Sequence, residues 1–495
     1  MFDKQININQ KNFLLILYVV ILVVFGPAIY WVSNSRYSLP FTEKSEEESV
    51  ETRISSGDRI LVTAHNSSAK QAGIEAYAQG KYVTAGENFS LALKNNRNDP
   101  EARIYLNNST AVLAKNPYRI GVSVPIGGNL GVAEEILRGV AQAQEEINRN
   151  GGINGKLLLV EIANDDNEPD LAVEIANEFV RDSKILAVVG HNSSNASIAA
   201  APVYQEANLV MITPTSSAED LSNMGNYIFR TVPSTRALTD TLANYVVNTA
   251  RKTNIGICFD SNAQASISFK ENFIWAVYDR GGKISPIDCD FSAADFNGEN
   301  IPSQAISKGV DGLLLAPSVR KVDKAMQVVA ANDDRLTLLG NHSLNTYATL
   351  KQGQNAVNGM VLSVPSYPQS GESSFNRDAK KLWGGSVNWR TAMAYDATKT
   401  LSEALALGTD RKTLQQTLAN PEFEIKGATT DVSFLPSGDR NMRGSLIKIQ
   451  PGNKSGTGYD FVALSDNLST TISSPVFATT NPQSPSKQTN KSNRE

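Results

Sequence analysis

The chain has 495 residues, 41% of them hydrophobic, and a formal net charge of -4. That length suits two or three domains, and the near-balanced charge gives no basis for nucleic-acid binding. Three histidines and two cysteines, in no metal-ligand spacing, argue against a zinc site, and no cofactor is expected.

The first predicted element is a membrane helix over 13–32. This run carries no charge, and about 20 apolar residues span a bilayer as a helix. Tyr30 and Trp31 fall at its far end, where aromatic rings favour the interface. Lys4 and Lys11 precede it and place residues 1–12 in the cytoplasm. A cleaved signal peptide is the alternative, but the run is long for one and no clear small-x-small cleavage site follows Val32. No cysteine follows either, which excludes a lipoprotein anchor. The rest of the chain is then periplasmic or otherwise extracytoplasmic, held on a single pass. Residues 33–67 are polar and acidic and read as a linker, with a short structured piece at 59–63.

A helical segment follows at 68–116. Ala72, Gly73, Ala76, Gly80, Tyr82, Ala85, Phe89, Ala92 and Leu93 fit one tetratricopeptide-like hairpin, with small residues at the helix contact and Phe89 filling the groove. Pro100 starts a further helix, a few residues later than that repeat pattern has it. One repeat cannot bury its own apolar face. It is therefore either a partner-binding surface or a spacer packed on the next domain or on a second copy.

From 117 the pattern alternates. A strand over 119–126 leads through a glycine-containing turn into a helix with Ile136, Val140, Ala143 and Ile147 on one face. Gly151 and Gly152 stop it, and a strand over 157–162 ends at Asp165-Asp166. A helix over 171–180 and a strand over 185–189 lead to the turn Gly190-His191-Asn192-Ser193-Ser194. Further strands are predicted at 209–212, 255–259, 283–287, 311–316, 336–339 and 359–363, and helices at 237–249, 268–279 and 392–407. Such alternation means parallel strands with covering helices, and ligands sit outside the carboxyl ends of such strands. Cys258 and Cys289 lie at or near predicted strands. They read first as small buried apolar residues, with pairing in an oxidising compartment as the alternative. From 464 on, the tail lacks the apolar residues needed to order itself.

These pieces, in order, resemble the type I periplasmic solute-binding proteins of the branched-chain amino-acid-binding family. The resemblance rests on Pro125, Glu146-Ile147-Asn148, Gly151-Gly152-Ile153-Asn154-Gly155, Asp165-Asp166, Val188-Val189-Gly190-His191, Ala201-Pro202-Val203-Tyr204, Ile212-Thr213-Pro214 and Gly225-Asn226-Tyr227-Ile228-Phe229-Arg230. It covers 118–463. It implies an α/β fold of two doubly wound parallel sheets joined by a hinge of three crossings. The two-lobed domain is then 117–463, with lobe one at about 118–236 and 366–432 and lobe two at about 237–365 and 433–463.

The resemblance also implies a site. Ser194 matches the family's carboxylate-binding serine, with Ser193 beside it, although both also suit a helix N-cap. Thr215 and Ser217 match positions that offer a carbonyl and a hydroxyl to the ligand, or else cap the next helix. On lobe two the sequence departs from the family. Gln264 stands where an aromatic is usual, and Gly340-Asn341-His342-Ser343 where an acidic residue meets the ligand's ammonium. An ordinary zwitterionic amino acid is thereby put in question, and a polar solute without a strong cation fits better. Trp389-Arg390 precedes a helix in a region where the family has a pocket-lining aromatic, and Arg390 suits an anion or a surface stack on Trp389. The candidate ligand contacts are thus Ser193, Ser194, Thr215, Ser217, Gln264, His342 and Arg390.

His191 beside two serines does not make a hydrolase, since no Gly-x-Ser-x-Gly elbow exists. The expected function is that of a membrane-anchored protein binding a small polar solute, an amino acid, amide or similar, for an ABC permease. A ligand-sensing receptor or adaptor that reaches a partner through the helical segment is the competing expectation, and a scaffold with a dead cleft is a third.

Overall fold

A computed structural model describes residues 49–368 and 373–464. The predicted cytoplasmic segment 1–12, membrane helix 13–32 and tail 465–495 lie outside them. Among the described residues no helix is long and apolar enough to cross a membrane.

Two sheets carry the molecule. The first contains β1 (Ile54–Ser55), β2 (Tyr118–Val124), β3 (Leu158–Asn164), β4 (Ile185–Val189), β5 (Val210–Thr213) and β6 (Ile228–Arg230), in the order β1-β3-β2-β4-β5-β6. All neighbours are parallel except β1, which runs antiparallel to β3. The second contains β7 (Asn254–Phe259), β8 (Lys283–Ile284), β9 (Gly312–Ala316), β10 (Thr337–Gly340), β11 (Val361–Val364), β12 (Ser445–Pro451) and β13 (Tyr459–Ala463), in the order β13-β12-β11-β10-β9-β7-β8. Its β12 is antiparallel to both neighbours. Each sheet therefore has a doubly wound parallel body, with the strand order reversing between β2 and β4 in one and between β7 and β9 in the other. Helices cover both faces, as parallel strands buried on two sides require.

The helices that matter below are α1 (Ser68–Ala78), α2 (Tyr82–Asn95), α3 (Pro100–Leu113), α4 (Leu130–Arg149), α5 (Ser194–Glu206), α6 (Gln264–Asp279) and α7 (Trp389–Leu407). Asn129 starts α4 by accepting the Val132 N–H. The predicted face of Ile136, Val140, Ala143 and Ile147 is buried. Long α7 crosses α4 at Gly139, where an added Cβ would lie 2.2 Å from the Thr391 carbonyl oxygen. Only a glycine lets these two helices meet.

The segment read as a linker is in part structured. Residues 54–55 add an edge strand to the first sheet, Ile54 opposite Ala163 and Ser55 opposite Ile162. The same edge of β3 is closed by side-chain amides. Asn108 of α3 accepts the Val160 N–H at 3.0 Å and donates to the Val160 carbonyl at 2.7 Å, and Asn148 does the same for Leu158. Unpaired edge groups demand such partners, and a polar, Ser-rich run gave no strand signal for β1. The helical segment is thus packed on lobe one. Its own core centres on Phe89, over Gly73, and on buried Lys70, whose Nζ lies 2.8 Å from Asp99 Oδ2 and 2.6 Å from Glu101 Oε2.

Two further expectations are corrected. Cys258 and Cys289 are joined in a disulfide. The Phe259 N–H bonds the Cys289 carbonyl at 3.1 Å, which lays the two cysteine segments side by side. The last crossing between lobes falls later than 432. Phe434 packs on Phe229 with ring centroids 5.1 Å apart, and Asp439 pairs with Arg230, so 434–440 belongs to lobe one.

Candidate functional site

The chemistry gathers where strands of both sheets end, at their strand-order reversals. On lobe one, β4 runs into the turn Gly190-His191-Asn192-Ser193. His191 is fully buried, its Nδ1 2.6 Å from Asp165 Oδ2 and its Nε2 3.1 Å from Tyr204 Oη. Its carbonyl accepts from Thr213 Oγ1 at 2.7 Å. Both ring nitrogens are therefore occupied by partners other than serine, and the residue anchors the turn. Asn167 Oδ1 accepts from Asn192 Nδ2 and from the Ser193 N–H, at 3.0 and 3.1 Å. Ser193 caps α5 through the Ala196 N–H, which leaves Ser194 as the first helical residue. Ser194 Oγ accepts the Ala218 N–H at 3.2 Å, and Thr215 Oγ1 donates to the Asn192 carbonyl at 2.9 Å. The turn after β4 and the turn after β5 are thereby stitched together.

Between the lobes lies a cavity of about 460 Å³. Lobe one lines it with Asn192, Ser193, Ser194, Thr215, Trp389 and Arg390. Lobe two lines it with Asp260, Asn262, Ser292, Arg320, Lys321 and His342. Of the sequence-derived candidates, Ser193, Ser194, Thr215, His342 and Arg390 meet in this one space. Ser217 does not line it, but stands behind it, its Oγ 3.5 Å from His342 Nε2. Gln264 does not line it either; its N–H is taken by Asn195.

The floor is electrostatically unusual. His342 is buried beside Trp389, with ring centroids 5.4 Å apart, and its Nδ1 has no hydrogen-bond partner among the described residues. Burial, with the Arg390 charge adding to it, pulls the imidazole down to about 3, so it is neutral at physiological pH. Burial also lowers Arg390 to about 10, partly opposed by Glu135, and its guanidinium stays charged.

The lobes touch across the cavity. Asn195 of α5 reaches over to α6, its Oδ1 accepting the Gln264 N–H at 2.9 Å and its Nδ2 donating to the Asn262 carbonyl at 3.0 Å. Ala263 precedes α6 and offers no capping side chain, so the cap comes from the opposite lobe. At the other rim Arg320 Nη2 lies 2.7 Å from both the Asp166 carbonyl and Glu168 Oε1. Arg390 Nη1 bonds the Asn345 carbonyl at 3.2 Å. The cleft is in a closed arrangement. Asn262, Ser292, Arg320 and Lys321 were missed from sequence, because each sits in a turn or short 3-10 segment and acquires its place only when the lobes meet.

Comparison with known proteins agrees with this architecture. A family model described as periplasmic binding protein matches residues 117–448. An amino acid binding protein of Pseudomonas aeruginosa is 36% identical over 145 residues, which is 29% of this chain and 39% of that relative, well under two thirds of its length. A Leu/Ile/Val-binding protein of Rhizobium johnstonii is 27% identical over 362 residues, covering 69% of this chain and 94% of that one. Among solved structures, a leucine binding protein from Thermotoga maritima superposes with a TM-score of 0.62 at 18% identity, over 70% of this chain and 97% of that one. At that identity the likeness is one of fold. With two doubly wound lobes closed over a polar cleft, and a family match across two-thirds of its length, this chain belongs to the periplasmic binding protein family.

Proposed function

We propose that the chain is an extracytoplasmic solute-binding protein that closes on a small polar solute, an amino acid or a chemically similar compound, and presents it to an ABC-type permease. The observation that carries this reading is the cleft itself. Polar side chains from both lobes face one cavity, and the hydrogen bonds at its rims exist only when the lobes are together. A solute that touches both lobes shifts the population toward that closed state by the contacts it gains there. Relatives named for amino-acid binding support the substrate class. The uncharged run at 13–32 supports tethering to a membrane, and Lys4 and Lys11 before it support a cytoplasmic N-terminus.

The test is a thermal-shift screen of the full chain in mild detergent against amino acids, amides and small anions, followed by calorimetry. At least one compound is expected to bind, with affinity about tenfold weaker in Ser194→Ala, the loss of one hydrogen bond to a polar or charged group. An unchanged affinity in the variant removes Ser194 from the site.

A second reading, a ligand-sensing adaptor, is favoured by one chain of contacts. Arg53, just before β1, pairs with Asp166 at 2.7 Å, and the Asp166 carbonyl accepts from Arg320 of lobe two. Lobe closure and the N-terminal segment therefore share a residue. The tetratricopeptide-like hairpin would then read out that state to a partner. A partner crosslinked to the exposed Val83 of α2 only in the presence of solute separates this reading from transport.

A further inference from the structure

Three arginines are among the largest fully buried side chains. Arg230 meets Asp439 at 2.6 Å and Arg440 meets Asp396 at 2.6 Å, each a buried cation with its own carboxylate. Arg390 is the exception. Among the described residues no carboxylate lies within 4.0 Å of it, and its side chain hydrogen-bonds only the Asn345 carbonyl. Glu135, whose charge it feels, is already committed to Arg138 at 2.8 Å and to Thr391 Oγ1 at 2.5 Å. Arg390 is also the second residue of α7, where the helix dipole adds to its charge instead of offsetting it. A buried cation in that position destabilises the empty protein unless something negative arrives.

The surroundings are matched to an anion with an organic body. The guanidinium stacks 4.4 Å from the Trp389 ring centre, which fixes its plane and leaves its edge for a planar acid group. Among the described residues Trp389 Nε1 and His342 Nδ1, both buried, have no hydrogen-bond partner, and both residues line the same cavity. Arg320 and Lys321 line the opposite wall, so cations face the space from both lobes. Of the two lining carboxylates, Glu168 is paired with Arg320, and Asp260 Oδ1 accepts from Ser292 Oγ and the Asn262 N–H.

We propose that Arg390 is the specificity residue of the cleft and that the solute is a carboxylate whose acid group pairs with its guanidinium. This rests on the solute-binding reading above and narrows it. The acid is bound on lobe one by a side chain, in addition to whatever the Ser194 turn holds.

The experiment uses matched acid and amide pairs on the full chain: L-glutamate with L-glutamine, L-leucine with leucinamide, and 4-hydroxybenzoate with 4-hydroxybenzamide, by calorimetry. At least one acid is expected to bind about 30-fold or more tightly than its amide, the scale for losing one partner of a buried charge pair. Arg390→Gln is expected to erase that difference. Arg390→Met, measured without solute, is expected to melt at or above the parent temperature, because it removes an unpaired buried charge. If an amide or a cationic solute binds as well as the acid and still depends on Ser194, solute binding stands and this proposal is overturned. If Arg390→Met melts far below the parent, the arginine is a structural clamp, which also overturns it. If no pair member binds the folded chain, both readings fail.

Discussion

At the scale of single residues the cleft is set by burial against charge. His342 is neutral because it is buried and because Arg390 stands beside it. The sign of its effect on stability follows. In the unfolded chain the imidazole takes a proton below its ordinary value of 6.5, while in the folded chain it does so only near 3. Between those values the unfolded state binds more protons, so stability is complete above pH 6.5 and is lost as the pH falls. By pH 5 the loss from this residue is about 2 kcal/mol. Melting curves at pH 7.5 and pH 5 are expected to show a larger drop for the parent than for His342→Gln. Equal drops would mean that the imidazole is not held neutral. Ser193, Ser194 and Thr215 were legible because hydroxyl-rich turns at strand ends have a mechanism that sequence exposes. Arg390 was legible as a cation beside an aromatic, but its lack of a carboxylate was not, since that depends on where Glu135 and Arg138 point. Gln264 was misplaced because one step along a helix start decides between facing the cavity and offering only a backbone N–H.

Elements are governed here by close approach. In the helical segment, a Cβ on Gly73 would lie 2.7 Å from the ring of Phe89, which is itself fully buried. Gly73→Ala would ordinarily stabilise a helix interior. Here the overlap is expected to win, with a net loss of about 1–2 kcal/mol, read as a lower midpoint in chemical denaturation. A raised midpoint would show that α1 and α2 can separate at no cost. The parallel strands and their covering helices were readable from apolar periodicity, since β2, β4 and β5 are nearly continuous buried runs. What escaped was short and polar. β1 has two residues, and β8 stops at Ile284 although 283–287 read as strand. Their pairing is decided by an available edge, which a single sequence does not display. The cysteine pair escaped for a like reason: Cys289 lies past the end of β8, in a stretch whose path follows from the bond of Phe259 to it.

For the whole molecule the question is what holds the two lobes closed. Asn195 supplies α6 with the cap that its own sequence lacks, from across the cleft. Losing a helix cap costs about 1 kcal/mol, and here the cost falls only on the closed form. Asn195→Ala is therefore expected to weaken solute affinity about fivefold through a population shift, with the melting temperature of the solute-free protein little changed. An affinity equal to the parent's would show that the cap does not contribute to closure. The doubly wound order was foreseeable from the family resemblance, but the contacts that join the rims were not. They link positions as distant as Asp166, half-buried in a turn, and Arg320, exposed in a short 3-10 helix.

The packing of 50–113 has a mechanical meaning. Its edge strand, its amide from Asn108 and its helix α3 all fasten onto the first lobe. Whatever grips residues 50–113 therefore grips that lobe directly. The second lobe becomes the swinging jaw, and a fluorophore on its outward Trp275 side would report each opening while one on α2 stayed still.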